Sequence, residues 1–141
     1  MIRRYVIDTG PIVALLNAKE EHHAWATETI KEYRAPFSTC EAVLSEAFHL
    51  LEQTRHGPDR LLKMIERGFL RIDFTANDQI PALARLLRRY AGLPMSLADA
   101  SLVRMTELDE KAGVFTLDSD FLVYRKNSRQ VIPLLLPPRL T

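Results

Sequence analysis

Cysteine is nearly missing from the sequence: Cys40 is the single one in 141 residues. An intrachain disulfide is therefore excluded, and a reducing setting, the cytoplasm, is expected. Also missing is any apolar run long enough to span a bilayer, so no membrane partner is expected. Arg3 and Arg4 precede an apolar stretch, but Asp8 and Pro11 interrupt it, and it does not read as a signal peptide. The chain lacks an excess of charge as well. Its formal net charge is +1, so a nucleic-acid partner would have to be held by a local patch or through metal ions. No low-complexity stretch, repeat or linker interrupts the chain. What remains is an ordinary globular composition, 47% hydrophobic and 26% charged, over a length that fits one domain, residues 1–141.

Five short apolar runs read as strands: "YVID" (5–8), "APFST" (35–39), "FLRIDF" (69–74), "GVFTL" (113–117) and "VIPLLL" (131–136). Helical patterns lie between them. "PIVALLNAKEE" starts at Pro11, a residue suited to a first helical position. "HAWATETIKEY" follows. "CEAVLSEAFHLLEQTRHG" is expected to run to a stop at Gly57-Pro58. "PDRLLKMIERG", "NDQIPALARLLRRYAG" and "SLADASLVRMTELDEKAG" each end at a glycine, and a short helix "DSDFLVYRK" is expected before the last strand. Strands separated by helices require crossover connections. The expected fold is thus α/β: a three-layer α/β/α sandwich around a central, mostly parallel five-stranded sheet. In such sheets, sites form outside the carboxyl ends of the strands.

Carboxylates gather at that edge. Asp8 ends the first strand, within "VIDTGP". Asp118 and Asp120 follow the fourth. Glu46 and Asp99 lie early in helices that leave the same edge. Each has a plain structural alternative. Asp8 suits a helix N-cap, and so do Asp118 and Asp120. Glu46 lies on the stripe of Val43, Ala47 and Leu50, where a salt bridge or an edge position would accommodate it. Ser96 and Asp99 have the spacing of a capping box. Taken together, converging carboxylates would repel and raise one another's pKa values unless cations neutralised them. An oxygen-only donor set without His or Cys suits Mg²⁺ or Mn²⁺, and such ions suit phosphoryl chemistry.

"YVIDTGPIVALL", "STCEAVLSEAFHLL", "LPMSLADASLV" and "VFTLDSDF", in this order and over this length, resemble a PIN-domain ribonuclease, more narrowly the VapC-type toxin of a type II toxin–antitoxin pair. The resemblance covers nearly the whole chain. It implies Mg²⁺- or Mn²⁺-dependent endonucleolytic cleavage of RNA, a cognate antitoxin and a homodimer. By motif matching it places Asp8, Glu46, Asp99 and Asp118 at the four acidic catalytic and metal-binding positions. Asp120 falls at a further position that is acidic in some relatives. Thr116 joins the polar surroundings of the site, and Thr9 shapes the turn beside it. His23 and Ala26 match a structural His-x-x-Ala pattern. Ser96 departs from the pattern, since many relatives carry another Asp there; this bears on a second metal position.

Other readings compete. "DTG" is an aspartic protease fingerprint, but only one copy occurs, and a helical pattern follows where that fold needs strands. A receiver-type phosphoacceptor would need an acidic pair near the first strand and a Lys after the last. A catalytically inactive PIN-like module that only binds RNA or protein is the main alternative. Arg85, Arg88 and Arg89, like Arg125, Lys126 and Arg129, read as solvated basic faces before they read as an RNA groove. Adjacent His22 and His23 do not share a helix face, which disfavours a metal pair. Cys40 reads as a small buried hydrophobe, and Trp25, Phe37, Phe48 and Phe121 as core or subunit interface.

Overall fold

A computed structural model describes Ile2 and residues 4–138; Arg3 lies outside the described residues. Among the described residues, seven strands and six α-helices follow in the order β1 (Arg4–Ile7), α1 (Thr9–Leu16), α2 (His23–Ile30), β2 (Phe37–Thr39), α3 (Glu41–Leu50), α4 (Gly57–Glu66), β3 (Leu70–Ile72), α5 (Ile80–Arg89), α6 (Leu97–Leu108), β4 (Ala112–Phe115), β5 (Arg125–Lys126), β6 (Gln130–Val131) and β7 (Leu134–Leu135). Five strands form one sheet in the order β3-β2-β1-β4-β7, and every pairing in it is parallel. The expected sandwich is thus observed.

Its physical cause lies in the strands. Successive side chains of a strand face opposite ways, yet Val6 and Ile7 are both buried, as is all of Ala112–Phe115. Both faces of the sheet are therefore covered, as parallel sheets require. α1 packs against α2 and α3, while α5 packs against α6, which also lies against β1 and β4. Ile7, Phe37, Val114 and Phe115 form the middle of the core. Phe115 meets Trp25 edge-on at 5.4 Å.

From β1 the chain moves to β2 and β3 on one side, then returns to β4 on the other. The order reverses between β1 and β4, and the crevice at their carboxyl ends is the switch point where ligands bind in open α/β sheets. Asp8 N–H donates to Phe115 O at 2.9 Å, which fixes the end of β1 against β4.

Several boundaries differ from the sequence reading. α1 begins at Thr9, not Pro11, because Asp8 caps it and accepts from Thr9 N–H at 2.8 Å. Pro11 is accommodated inside the first turn, where its missing N–H has no helical partner to lose. α3 stops at Leu50, and Gly57-Pro58 opens α4 instead of ending α3. The intervening chain folds through successive turns, with Thr54 N–H donating to Leu51 O and Gly57 N–H to Thr54 O. A Cβ at Gly57 would sit 2.7 Å from Leu51 O, so this close return needs glycine.

The carboxyl-terminal segment differs most. Only a 3₁₀ turn, Ser119–Leu122, forms where a helix over 118–126 is expected. An antiparallel hairpin, β5–β6, follows. Asn127 and Ser128, in the three-residue loop between paired Lys126 and Gln130, both have positive φ (49° and 71°), the left-handed conformation by which the chain reverses tightly. The last sheet strand shrinks to Leu134–Leu135, because Val131 belongs to the hairpin.

The short edge strand depends on Gly113. Val114 N–H donates to Pro133 O at 2.9 Å, and Thr116 N–H to Leu135 O at 3.1 Å. A Cβ at Gly113 would lie 2.6 Å from Pro133 O and 2.7 Å from the Tyr5 ring. Gly113→Ala is therefore expected to push β7 away and cost about 1–3 kcal/mol, the usual range for overpacking. A lowered urea midpoint with an unchanged slope would show it.

Candidate active site

Asp8 is bound at both oxygens. Oδ1 accepts from Thr9 N–H at 2.8 Å, and Oδ2 accepts from the Thr116 hydroxyl at 2.7 Å. The residue is only 8% exposed. Burial pushes its pKa up to about 6; the hydrogen bonds from Thr116 and Thr9 hold it back, and the charges of Asp99 and Asp118 add to the rise.

Thr116, fully buried just past β4, joins the Asp8 carboxylate to the backbone of Asp118. Its oxygen also accepts from Asp118 N–H at 2.9 Å. Asp118 in turn accepts from Asp120 N–H through Oδ1 at 2.9 Å and so caps the 3₁₀ turn. Asp99 sits at the start of α6 in the capping box expected from the sequence. Ser96 Oγ accepts from Asp99 N–H at 3.0 Å, and Asp99 Oδ2 accepts from Ser96 N–H at 3.1 Å. Its pKa is raised as well, first by burial, with the Asp118 charge adding to the rise. Glu46 stands exposed on α3, with Oε2 3.5 Å from the Thr9 hydroxyl, which also approaches Val43 O at 3.3 Å.

Asp8, Glu46, Asp99 and Asp118 thus line one open cleft of about 540 Å³, together with Thr9 and Ser96 and an apolar wall of Leu50 and Leu117. Asp120 does not line it. The sheet edge, the middle of α3 and the start of α6 bring the four together from positions 8 to 118 of the chain. Among the described residues, no three Asp, Glu, His or Cys side chains are packed tightly enough to form a preformed metal cage. Mg²⁺ does not need one, since it usually keeps several waters and takes only one or two protein carboxylates. The oxygen-only donors, the unrelieved mutual repulsion and the open cleft fit such a hydrated ion.

Most residues read as bland behave so, but Lys126, read with Arg125 and Arg129 as a solvated basic face, is buried. Arg85, Arg88 and Arg89 are exposed on α5. The Arg125 guanidinium is spent on the carbonyls of Leu122, Val123 and Tyr124. His23 Nδ1 lies 2.6 Å from Ala14 O and ties α2 to α1. Cys40 is buried and free. Sequence reasoning missed Tyr124, whose hydroxyl donates to Asp99 Oδ2 at 3.3 Å. Nothing in "FLVYRK" marks it, because its partner lies 25 residues earlier.

A family model of the PIN domain matches residues 5–127. The crystal structure of Mycobacterium tuberculosis VapC20, a Sarcin-Ricin loop cleaving toxin, superposes with a TM-score of 0.74 at 21% sequence identity, covering 92% of this chain and 99% of that one. At that identity the likeness concerns the fold. No curated protein sequence gives a significant match.

Proposed function

The chain belongs to the PIN-domain family, and from that premise we propose that it is a metal-dependent endoribonuclease, the toxin of a toxin–antitoxin pair. The observation that carries the proposal is the meeting of Asp8, Asp99 and Asp118, with Glu46 across the cleft, at the switch point of the sheet. A bound Mg²⁺ or Mn²⁺ would neutralise these carboxylates, link them to the phosphodiester and stabilise charge developing on its oxygens.

The chain's own groups do the rest. Thr9 and Thr116 hold both oxygens of Asp8 in one orientation. Asp118 keeps Oδ2 free among the described residues while its Oδ1 caps the following turn, so it is placed to orient the attacking water. Water adds to phosphorus, the bond to the 3′ oxygen breaks, and the products carry a 5′-phosphate and a 3′-hydroxyl.

The same reading carries two protein partners: a cognate antitoxin, whose basic side chain would enter the acidic cleft, and a second copy of the chain. A cytoplasmic place agrees with it, and no helix among the described residues is long and apolar enough to cross a membrane. VapC20's stated target makes structured ribosomal RNA the first substrate to try.

The test incubates the purified protein with transfer RNA, messenger RNA and ribosomal fragments that include a sarcin–ricin hairpin. Cleavage with Mg²⁺ or Mn²⁺, none with EDTA, and 5′-phosphate ends are expected. Cleavage that EDTA leaves untouched, or cyclic phosphate products, would overturn the proposal. RNA binding with no cleavage under any ion would mark an inactive binding module instead.

A further inference from the structure

Tyr124 is fully buried, yet its hydroxyl reaches the acidic cleft from below. The ring is wedged against Tyr90 (centroids 5.1 Å apart, planes at 64°) and Phe121 (5.2 Å, 81°). Its hydroxyl donates to Asp99 Oδ2 at 3.3 Å. That oxygen also accepts from Ser96 N–H, so Oδ2 has two protein donors. Oδ1 accepts none among the described residues. Every sealed side-chain oxygen there has a partner, so Oδ1 must be open to the cleft.

We propose that Tyr124 is a positioning residue: its hydroxyl, with Ser96 N–H, holds Asp99 by Oδ2 and turns Oδ1 outward as the oxygen that takes a divalent ion. The inference rests on the cleft being a metal site. A carboxylate held at one oxygen loses less rotational freedom when the other binds, and partners of this kind are worth about 10–100-fold in metal affinity. The aromatic wedge makes the hold rigid. Tyr90 is itself committed, since its hydroxyl accepts from Arg125 N–H at 2.9 Å, and the Tyr124 ring cannot shift without moving it.

The decisive measurement is Mn²⁺ affinity of the whole chain, by calorimetry or electron paramagnetic resonance, with thermal unfolding run alongside. Tyr124→Phe keeps the ring and is expected to bind Mn²⁺ roughly tenfold more weakly. Tyr90→Phe removes a hydroxyl from the same aromatic cluster without touching Asp99 and is expected to stay within about twofold of the unsubstituted chain. Equal losses in both variants, or no loss in Tyr124→Phe, would overturn the inference. A chain that binds no Mn²⁺ at all would instead overturn the metal-site reading on which it stands.

If Tyr124→Phe does not fold, tyrosine labelled with ¹³C at Cζ answers in the unsubstituted chain. The Tyr124 signal, assigned by elimination with Tyr5→Phe, Tyr33→Phe and Tyr90→Phe, is expected to move as Mg²⁺ saturates. A signal that stays still while Mg²⁺ binds would overturn the inference.

Discussion

Asp8→Asn is expected to lower RNA cleavage by at least about a thousandfold while making the metal-free protein more stable at neutral pH. The first effect follows from losing the most buried carboxylate of the cleft, where electrostatic groups are worth several kcal/mol to the transition state. The second follows from linkage. An unfolded Asp titrates at 3.8, and folding raises this one to about 6. The folded chain therefore holds the proton more tightly, so the folded state is favoured in full below pH 3.8. That advantage fades as pH rises and is gone above about 6, where the buried charge costs roughly 3 kcal/mol.

Asn has no charge to desolvate, but it offers one acceptor where the carboxylate serves two donors. If Oδ1 accepts from Thr9 N–H, Nδ2 faces Thr116 Oγ1 and the Thr116 proton loses its acceptor. Allowing for this loss, a net gain of about 1–2 kcal/mol is expected at pH 7.5. Urea unfolding in EDTA at pH 4 and pH 7.5 checks it: the variant should exceed the parent only at the higher pH. Mg²⁺ should then raise the parent's midpoint more than the variant's. Cleavage at the parent's rate would remove Asp8 from the mechanism. An equal loss of stability at both pH values would show that its burial carries no charge cost.

That result bears on how the sequence was legible. Cap and site were opposed readings of Asp8, Asp99 and Asp118, and the structure shows the cap in all three. At Asp99 and Asp118 the two are compatible because a carboxylate has two oxygens. Asp99 spends Oδ2 on Ser96 N–H, and Asp118 spends Oδ1 on Asp120 N–H. Each keeps the other oxygen free of partners among the described residues. The parallel sheet was legible because "YVID" and "GVFTL" carry consecutive apolar residues (Val6-Ile7 and Val114-Phe115), as strands covered on both faces must. The β5–β6 hairpin was not, since "DSDFLVYRK" carries a plausible helical pattern and only Asn127-Ser128 hints at a turn. The end of α3 was hidden for another reason. Gly57 reads equally as a helix stop and as a helix start, and its close approach to Leu51 O decides between them in three dimensions alone. Tyr124 was invisible because its role depends on a contact across the fold.

The same cross-fold logic makes Thr116 the most exposed point of the design. Its single oxygen, fully buried, donates to Asp8 and accepts from Asp118 N–H. Thr116→Val keeps the shape and strands both partners. A buried carboxylate loses its strongest donor, and a backbone N–H is left unpaired, together a loss of about 2–4 kcal/mol. The Asp8 pKa then moves further up, because the Thr116 bond is the first of the effects that hold it down. Asp8 is needed as a carboxylate, so the acid limb of the pH–rate profile should shift to higher pH, and cleavage at pH 7 should fall roughly 10–100-fold. Thr116→Ser retains the hydroxyl and should restore both the limb and most of the rate. The pair of variants separates the hydrogen bond from the packing. If Val and Ser behave alike, the hydroxyl is irrelevant and Asp8 is oriented by Thr9 alone. If only Val shifts the limb, the charge state of Asp8 is set from β4, 108 residues away in sequence.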